Sequence, residues 1–217
     1  MSNAATLLAR LPIGKAGRTE HPDRRRSWMS PDAKKSSLLL YISDEASGDV
    51  YVYAYRSPNH LGKLVGTLTG FSTPSGECVD KAGDVFVTNT GADDIIEYAH
   101  GGTTAINTLA DLPGEFPYSC AIDRTTGNLA VTDLFSSYGS GNVAIFPNAQ
   151  GTPSIYTDPD FGGMYFVAYD NAGNLFLDGT PSGSGEFVFG ELPNGSSTIT
   201  TIALNTSISF PGGVAWD

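Results

Sequence analysis

Histidine and basic charge are both scarce in this 217-residue chain, and each shortage removes a class of chemistry. Only His21, His60 and His100 are present, and none falls where the loops of the expected ligand face gather, so no histidine stands ready there as a general base or zinc ligand. Of the 12 Lys and Arg, only 4 lie beyond residue 36, against 20 acidic residues there. That balance of −16 repels phosphate backbones and argues against nucleic-acid binding, while leaving cations or basic partners open. No apolar run reaches the roughly 18–20 residues that a membrane-spanning helix needs. No secretory signal is legible either, since Leu7–Ile13 is short and interrupted by Arg10. Met1-Ser2-Asn3-Ala4 resembles an expression-vector remnant, so the compartment is not fixed by the sequence, and an extracytoplasmic one is favoured if a leader was removed.

What is abundant points to strands and turns. There are 26 Gly, 11 Phe and 10 Tyr against 3 Met, a composition of tight turns between short aromatic and β-branched runs. Residues 1–36 carry a charge of about +5 and include Arg24-Arg25-Arg26; they read as a disordered basic tail, with the folded repeats over 37–217.

The strongest signal is self-similarity. Asp80–Asn89 (DKAGDVFVTN), Asp123–Asp133 (DRTTGNLAVTD) and Asp170–Asp178 (DNAGNLFLD) repeat one pattern, with the leading Asp recurring at intervals of 43 and 47 and Asp217 another 47 further on. A period of this size in an all-β chain predicts a β-propeller of four-stranded antiparallel blades. In the second unit the strands fall at Gly76–Asp80 (A), Asp84–Asn89 (B), Asp93–His100 (C) and Thr104–Asp111 (D). An Asp-x-x-Gly turn joins A to B, and a Gly-rich turn joins C to D. Phe71, Phe116, Phe161 and Phe210 precede the repeat Asp by 9, 7, 9 and 7 residues and are expected to wedge between blades.

The ends are out of phase. Leu38–Asp44, Asp49–Tyr55 and Gly62–Thr69 read as B, C and D without an A, and Gly213–Asp217 reads as an A without a B. The last strand could therefore complete the first blade, making about four repeats a closed ring. Alternatively the chain is a fragment of a six- or seven-bladed propeller. An open blade edge would also permit a homodimer by strand pairing.

Leu40–Asp44 (LYISD) with Gly48–Tyr53 (GDVYVY), and Gly127–Asp133 (GNLAVTD) with Gly141–Phe146 (GNVAIF), resemble NHL-type and senescence-marker-like repeats, in particular bacterial NHL/YncE-like propellers. That resemblance implies six or seven blades and a range of roles that includes binding scaffolds, lactonases, lyases and cell-surface proteins. Lactonase-type relatives hold a divalent cation in the channel with Glu, Asn and Asp. By that likeness Asp44, Asn89, Asp133 and Asp178, at the ends of the B strands, and Glu77 on an A strand are metal candidates for Ca2+. The same polar residues at equivalent places would also serve as strand caps.

The D–A and B–C loops share one face and vary in length, Leu134–Ser140 against Thr90–Ala92. Variation on a uniform scaffold marks a working face, with Glu77, Asn89, Tyr118, Asp133, Phe135, Tyr138 and Asp178 as its binding candidates. A non-catalytic module binding a protein or small ligand is the leading expectation. A metal-dependent lactonase or hydrolase and a structural extracytoplasmic repeat protein are the alternatives. Cys78 and Cys120 lie two and three residues before their repeat Asp, so strand alternation turns them to different faces and two buried free thiols are expected.

Overall fold

Each repeat folds as one four-stranded antiparallel sheet. The computed structural model describes residues 26–36, 38–55, 62–136, 139–183 and 185–217. Blade 1 is β1 (Trp28–Met29), β2 (Leu39–Asp44), β3 (Asp49–Ala54) and β4 (Lys63–Thr69). Blade 2 is β5 (Pro74–Val79), β6 (Val85–Asn89), β7 (Asp94–Tyr98) and β8 (Ala105–Ala110). Blade 3 comprises β9 (Glu115–Ile122), β10 (Leu129–Ser136), β11 (Asn142–Phe146) and β12 (Ser154–Tyr156). Blade 4 comprises β13 (Phe161–Tyr169), β14 (Leu175–Pro181), β15 (Val188–Leu192) and β16 (Thr200–Thr201). Blades 2 to 4 run in simple up-and-down order, whereas blade 1 runs β1-β4-β3-β2. The chain is thus an all-β propeller of about four blades. Among the described residues no helix is long and apolar enough to cross a membrane.

The turns follow the side-chain chemistry. Asp80 Oδ1 accepts from the backbone N–H of Ala82 and of Asp84, both at 2.9 Å, and Gly83 takes the φ of +89° that lets the chain reverse. Asp170 repeats this with Ala172 and Asn174 at 2.8 Å, and Gly173 sits at φ +82°. Strands then alternate as a sheet between neighbours must, β3 burying every second residue, while β6 is buried throughout because both of its faces meet another blade.

Neighbouring blades are joined by one recurring bond. Ser43 donates its hydroxyl to the carbonyl of Ser75 at 2.6 Å, Thr88 to that of Tyr118 at 3.0 Å, and Thr132 to that of Tyr165 at 2.6 Å. Each acceptor lies five residues before a repeat Asp. A hydroxyl on the second strand of one blade thus holds the innermost strand of the next. Removing such a donor leaves a buried carbonyl without its partner. Thr132→Val, of nearly equal volume, is therefore expected to cost about 1–3 kcal/mol, read as a lowered urea midpoint at unchanged slope.

Asp178 occupies the same place in blade 4 and takes Gly212 N–H at 3.3 Å and Gly213 N–H at 3.4 Å. Trp216 stacks on Phe176 with centroids 5.6 Å apart. The C-terminal residues therefore lie against blade 4 in the place of a further innermost strand. Gly213–Asp217 forms no strand and does not pair with β2, so the expected closure of blade 1 is not made. Blade 1 takes its fourth strand from β1, which pairs Trp28 with Thr67 and Met29 with Gly66 at its outer edge. Part of the expected tail therefore belongs to the sheet, and Arg24 and Arg25 lie outside the described residues.

The cysteines correct an expectation. Cys78 on β5 and Cys120 on β9 form a disulfide, with Cα atoms 5.6 Å apart. Their opposite facing was read correctly, but its consequence was reversed. Stacked blades meet front to back, so side chains reach one another from successive innermost strands only when they point to opposite faces. The expected Phe wedges divide likewise. Phe161 is fully buried and Phe71 nearly so, against Tyr98 at 6.0 Å, while Phe116 is half-buried and Phe210 is exposed.

Candidate functional site

Two groups of side chains gather on the inner strands and in the loops next to them. The first lies along the inner strands. Tyr118 on β9 meets Tyr165 and Phe166 on β13 edge to face, at 5.7 and 5.6 Å, and Tyr165 meets Phe210 at 5.4 Å. Tyr118 and Phe166 keep part of their surface open, whereas Tyr165 is buried. Glu45, in the turn after β2, is close enough to raise the Tyr118 pKa further above that of an ordinary phenol, although burial is the larger cause. Ser75 donates to Glu45 Oε1 at 3.1 Å, which ties the first blade's turn to the second blade's inner strand. All four blades thus contribute to this one place.

Glu77, on β5, belongs to the same neighbourhood. Its Oε1 is buried and meets no donor, and burial raises its pKa to about 7 despite hydrogen bonding from Ser43. A carboxyl that binds its proton more tightly folded than unfolded loses stability as pH rises from the ordinary value of 4.5 to about 7, and beyond that the loss is constant. The wild type is thus expected to be more stable at pH 5 than at pH 8 as far as this group is concerned, and Glu77→Gln to remove that part of the slope. Urea midpoints of both proteins at the two pH values check it.

The second group is acidic and lies between blades 2 and 3. Asp93 sits in the β6–β7 loop, Asp111 follows β8, Glu115 opens β9, Asp133 is near the end of β10 and Asn142 opens β11. Asp111, Glu115, Asp133 and Asn142 are buried. Burial, then the charges of Asp111 and Glu115, push the Asp133 pKa well above the usual carboxylate range. Glu115 Oε2 accepts from Asn142 Nδ2 at 2.8 Å, and Asp93 Oδ2 from Gly114 N–H at 2.9 Å.

The residues expected from sequence separate on inspection. Asn89 is satisfied, its Oδ1 taking Ser72 N–H at 2.6 Å and its Nδ2 donating to Asp94 at 2.8 Å, so it closes a loop. Asp44 binds the Ala46 and Ser47 N–H groups of its own turn, at 3.1 and 3.3 Å. Asp178 is not equivalent to the others. The last cross-strand pairs of the B–C hairpins are Asp44–Asp49, Asn89–Asp94, Asp133–Asn142 and Gly179–Val188, so Gly179 holds the ring position and Asp178 the linking position. Blade 4 has one residue fewer between the repeat Asp and its strand-end acid than blade 2 has before Asn89. Phe135 is half-buried on β10, and Tyr138 lies outside the described residues. Among the described residues no three His, Cys, Asp or Glu side chains are gathered closely enough to make a finished metal sphere.

Sequence reasoning missed Glu45, Phe166, Asp111, Glu115 and Asn142. A partial signal was available, since Ser72 and Glu115 both stand eight residues before their repeat Asp, a place where an acid is unexpected. Two hollows also lie apart from these two groups. One of about 280 Å³ opens between blades 3 and 4 near Asp123, Tyr169 and Asn194. Another of about 450 Å³ lies along Glu186–Phe189 and Thr201–Ile208.

No family model matches the chain, and no curated protein matches it. Solved structures do. The chain is similar to virginiamycin B lyase from Staphylococcus aureus, at 16% identity and TM-score 0.63, over 90% of this chain and 61% of that one. It is similar to a chain of a nidogen/laminin complex, at 13% identity and TM-score 0.65, over 82% and 65%. It also resembles a putative 6-phosphogluconolactonase from Bacteroides uniformis, at 13% identity and TM-score 0.56, over 75% and 53%. At such identities the likeness is one of fold, and the chain spans less than two thirds of each of these structures.

Proposed function

We propose that this chain is a non-catalytic propeller module that binds a basic protein segment or small cationic ligand on the face carrying the D–A and B–C loops. The observation that supports it is the edge-to-face pair of half-open rings, Tyr118 and Phe166, with the Glu45 carboxylate close enough to act electrostatically on Tyr118. Aromatic faces and a carboxylate recognise an ammonium or guanidinium together, the rings through their quadrupole and the acid through its charge. The −16 balance of residues 37–217 would draw such a partner in over longer range, an effect that salt screens. The nidogen/laminin structure is a propeller-containing protein complex, which makes partner binding a use this fold is known to serve.

A fluorescein-labelled lysine- and arginine-rich peptide tests this by polarisation. Saturable binding is expected, weakened about tenfold or more by Tyr118→Ala or Glu45→Gln and weakened again in 0.5 M salt. Equal binding by wild type and both variants would remove the site. Lactone-opening activity abolished by Glu77→Gln would replace the reading with an enzymatic one.

A further inference from the structure

We propose that Asp111, Glu115, Asp133 and the amide oxygen of Asn142 form a binding site for a hard divalent cation, calcium by its donor chemistry, between blades 2 and 3. Asp133 is fully buried and Asn142 nearly so, at 0% and 3% exposure. Both carboxylate oxygens of Asp133, Asp111 Oδ2 and Asn142 Oδ1 meet no hydrogen-bond donor. Four unserved acceptors in one buried place are not ordinary packing, since such groups are nearly always paired. The charges acting on Asp133 come from Asp111, Glu115 and Asp93, all acidic.

The repeat supplies its own comparison. The same positions in blade 2 hold Ser72, Asn89 and Asp94, where one amide satisfies both neighbours. In blade 3 the amide and the acid are exchanged, Asp133 for Asn89 and Asn142 for Asp94, and Glu115 replaces Ser72. Structural closure needs only the blade 2 arrangement. Blade 3 instead gathers oxygen acceptors and turns the Asn142 oxygen free by using its nitrogen on Glu115.

Asp111 and Asp133 lie close enough to share a proton or a cation. A shared proton serves one oxygen of each and leaves the second Asp133 oxygen and Asn142 Oδ1 unserved. One cation can take all of them. The donors are all oxygen, with neither imidazole nor thiolate, which selects calcium-like ions over zinc. As arranged, no three acidic side chains among the described residues form a finished sphere, so binding draws the Asp111 and Asp133 carboxylates inward. Water would complete the roughly six to eight ligands that calcium takes.

Calorimetric titration of the chelator-treated full chain with calcium chloride at pH 7.5, beside thermal melts, tests the site. One saturable site is expected, with a melting temperature raised by several degrees. Asp133→Asn, which restores the blade 2 chemistry, and Asp111→Asn should each weaken calcium binding at least tenfold, and Asp178→Asn should leave it unchanged. Either of the first two variants that folds suffices for the comparison. Absence of saturable binding to the wild type, or retention of it in a folded Asp133→Asn or Asp111→Asn chain, would overturn the site in favour of a shared proton. Calcium titration involves no peptide, so its failure and that of the ligand reading are separable.

Discussion

Phe161→Ala should destabilise the chain by about 3–5 kcal/mol, measured as the shift in urea midpoint multiplied by the slope. Phe161 opens β13 and is fully buried. Its ring lies against two glycines of its own blade: a Cβ added at Gly179 would fall 2.7 Å from Phe161 Cδ1, and one added at Gly190 would fall 3.1 Å from Cζ. The ring therefore fills the space that two absent side chains leave on β14 and β15. The two glycines offer no side chains that could rotate into the gap. The cost should accordingly sit near the upper part of the range. Phe116→Ala, removing a half-buried ring at the corresponding link of blade 3, should cost distinctly less.

Cys78→Ser, or reduction of the disulfide, should lower stability by about 4 kcal/mol on the loop-closure account. The bridge spans 42 residues and joins β5 to β9, so its loss frees the unfolded chain of a constraint nearly one blade long. The folded state changes little by comparison, because β5 and β9 already pack against each other around Cys120, Phe86 and Leu129. The slope of the urea transition should rise, since an uncrosslinked chain exposes more surface on unfolding. Cys120→Ser and the double variant should match the single one, because all three remove the same covalent constraint.

The fold was legible because its cause is periodic. The Asp-x-x-Gly turn recurs where Asp80 and Asp170 hold their own backbone, and a side-chain–backbone bond between near neighbours is a sequence-local fact. Strand positions followed to within about two residues, as with β6 at Val85–Asn89. Features that depend on how blades face each other were harder to read. Alternation showed that Cys78 and Cys120 face opposite ways, but only front-to-back stacking makes that a condition for bridging.

The candidate site was legible only in part for the same reason. Tyr118 and Glu77 could be named from sequence because they lie on inner strands of recognisable repeats. Glu45 and Phe166 come from other blades, and no local spacing announces that Phe166 meets Tyr118 or that Glu45 comes near it. Asp178 was misaligned because a polar residue at a strand end was taken for the ring position that Gly179 holds, one residue further on. Asn89 and Asp133 looked alike in sequence, yet one is a satisfied loop closure and the other a buried acid without a donor.

Stacking of consecutive repeats front to back is the claim from which the linking hydroxyls, the inner aromatic group and the acidic group all follow. Peptide mapping of the oxidised protein without reductant, after alkylation of free thiols in urea, tests it most directly. The expected product joins the peptide containing Cys78 to that containing Cys120 within one chain. Recovery of both cysteines alkylated, or linked only between chains, would contradict the arrangement.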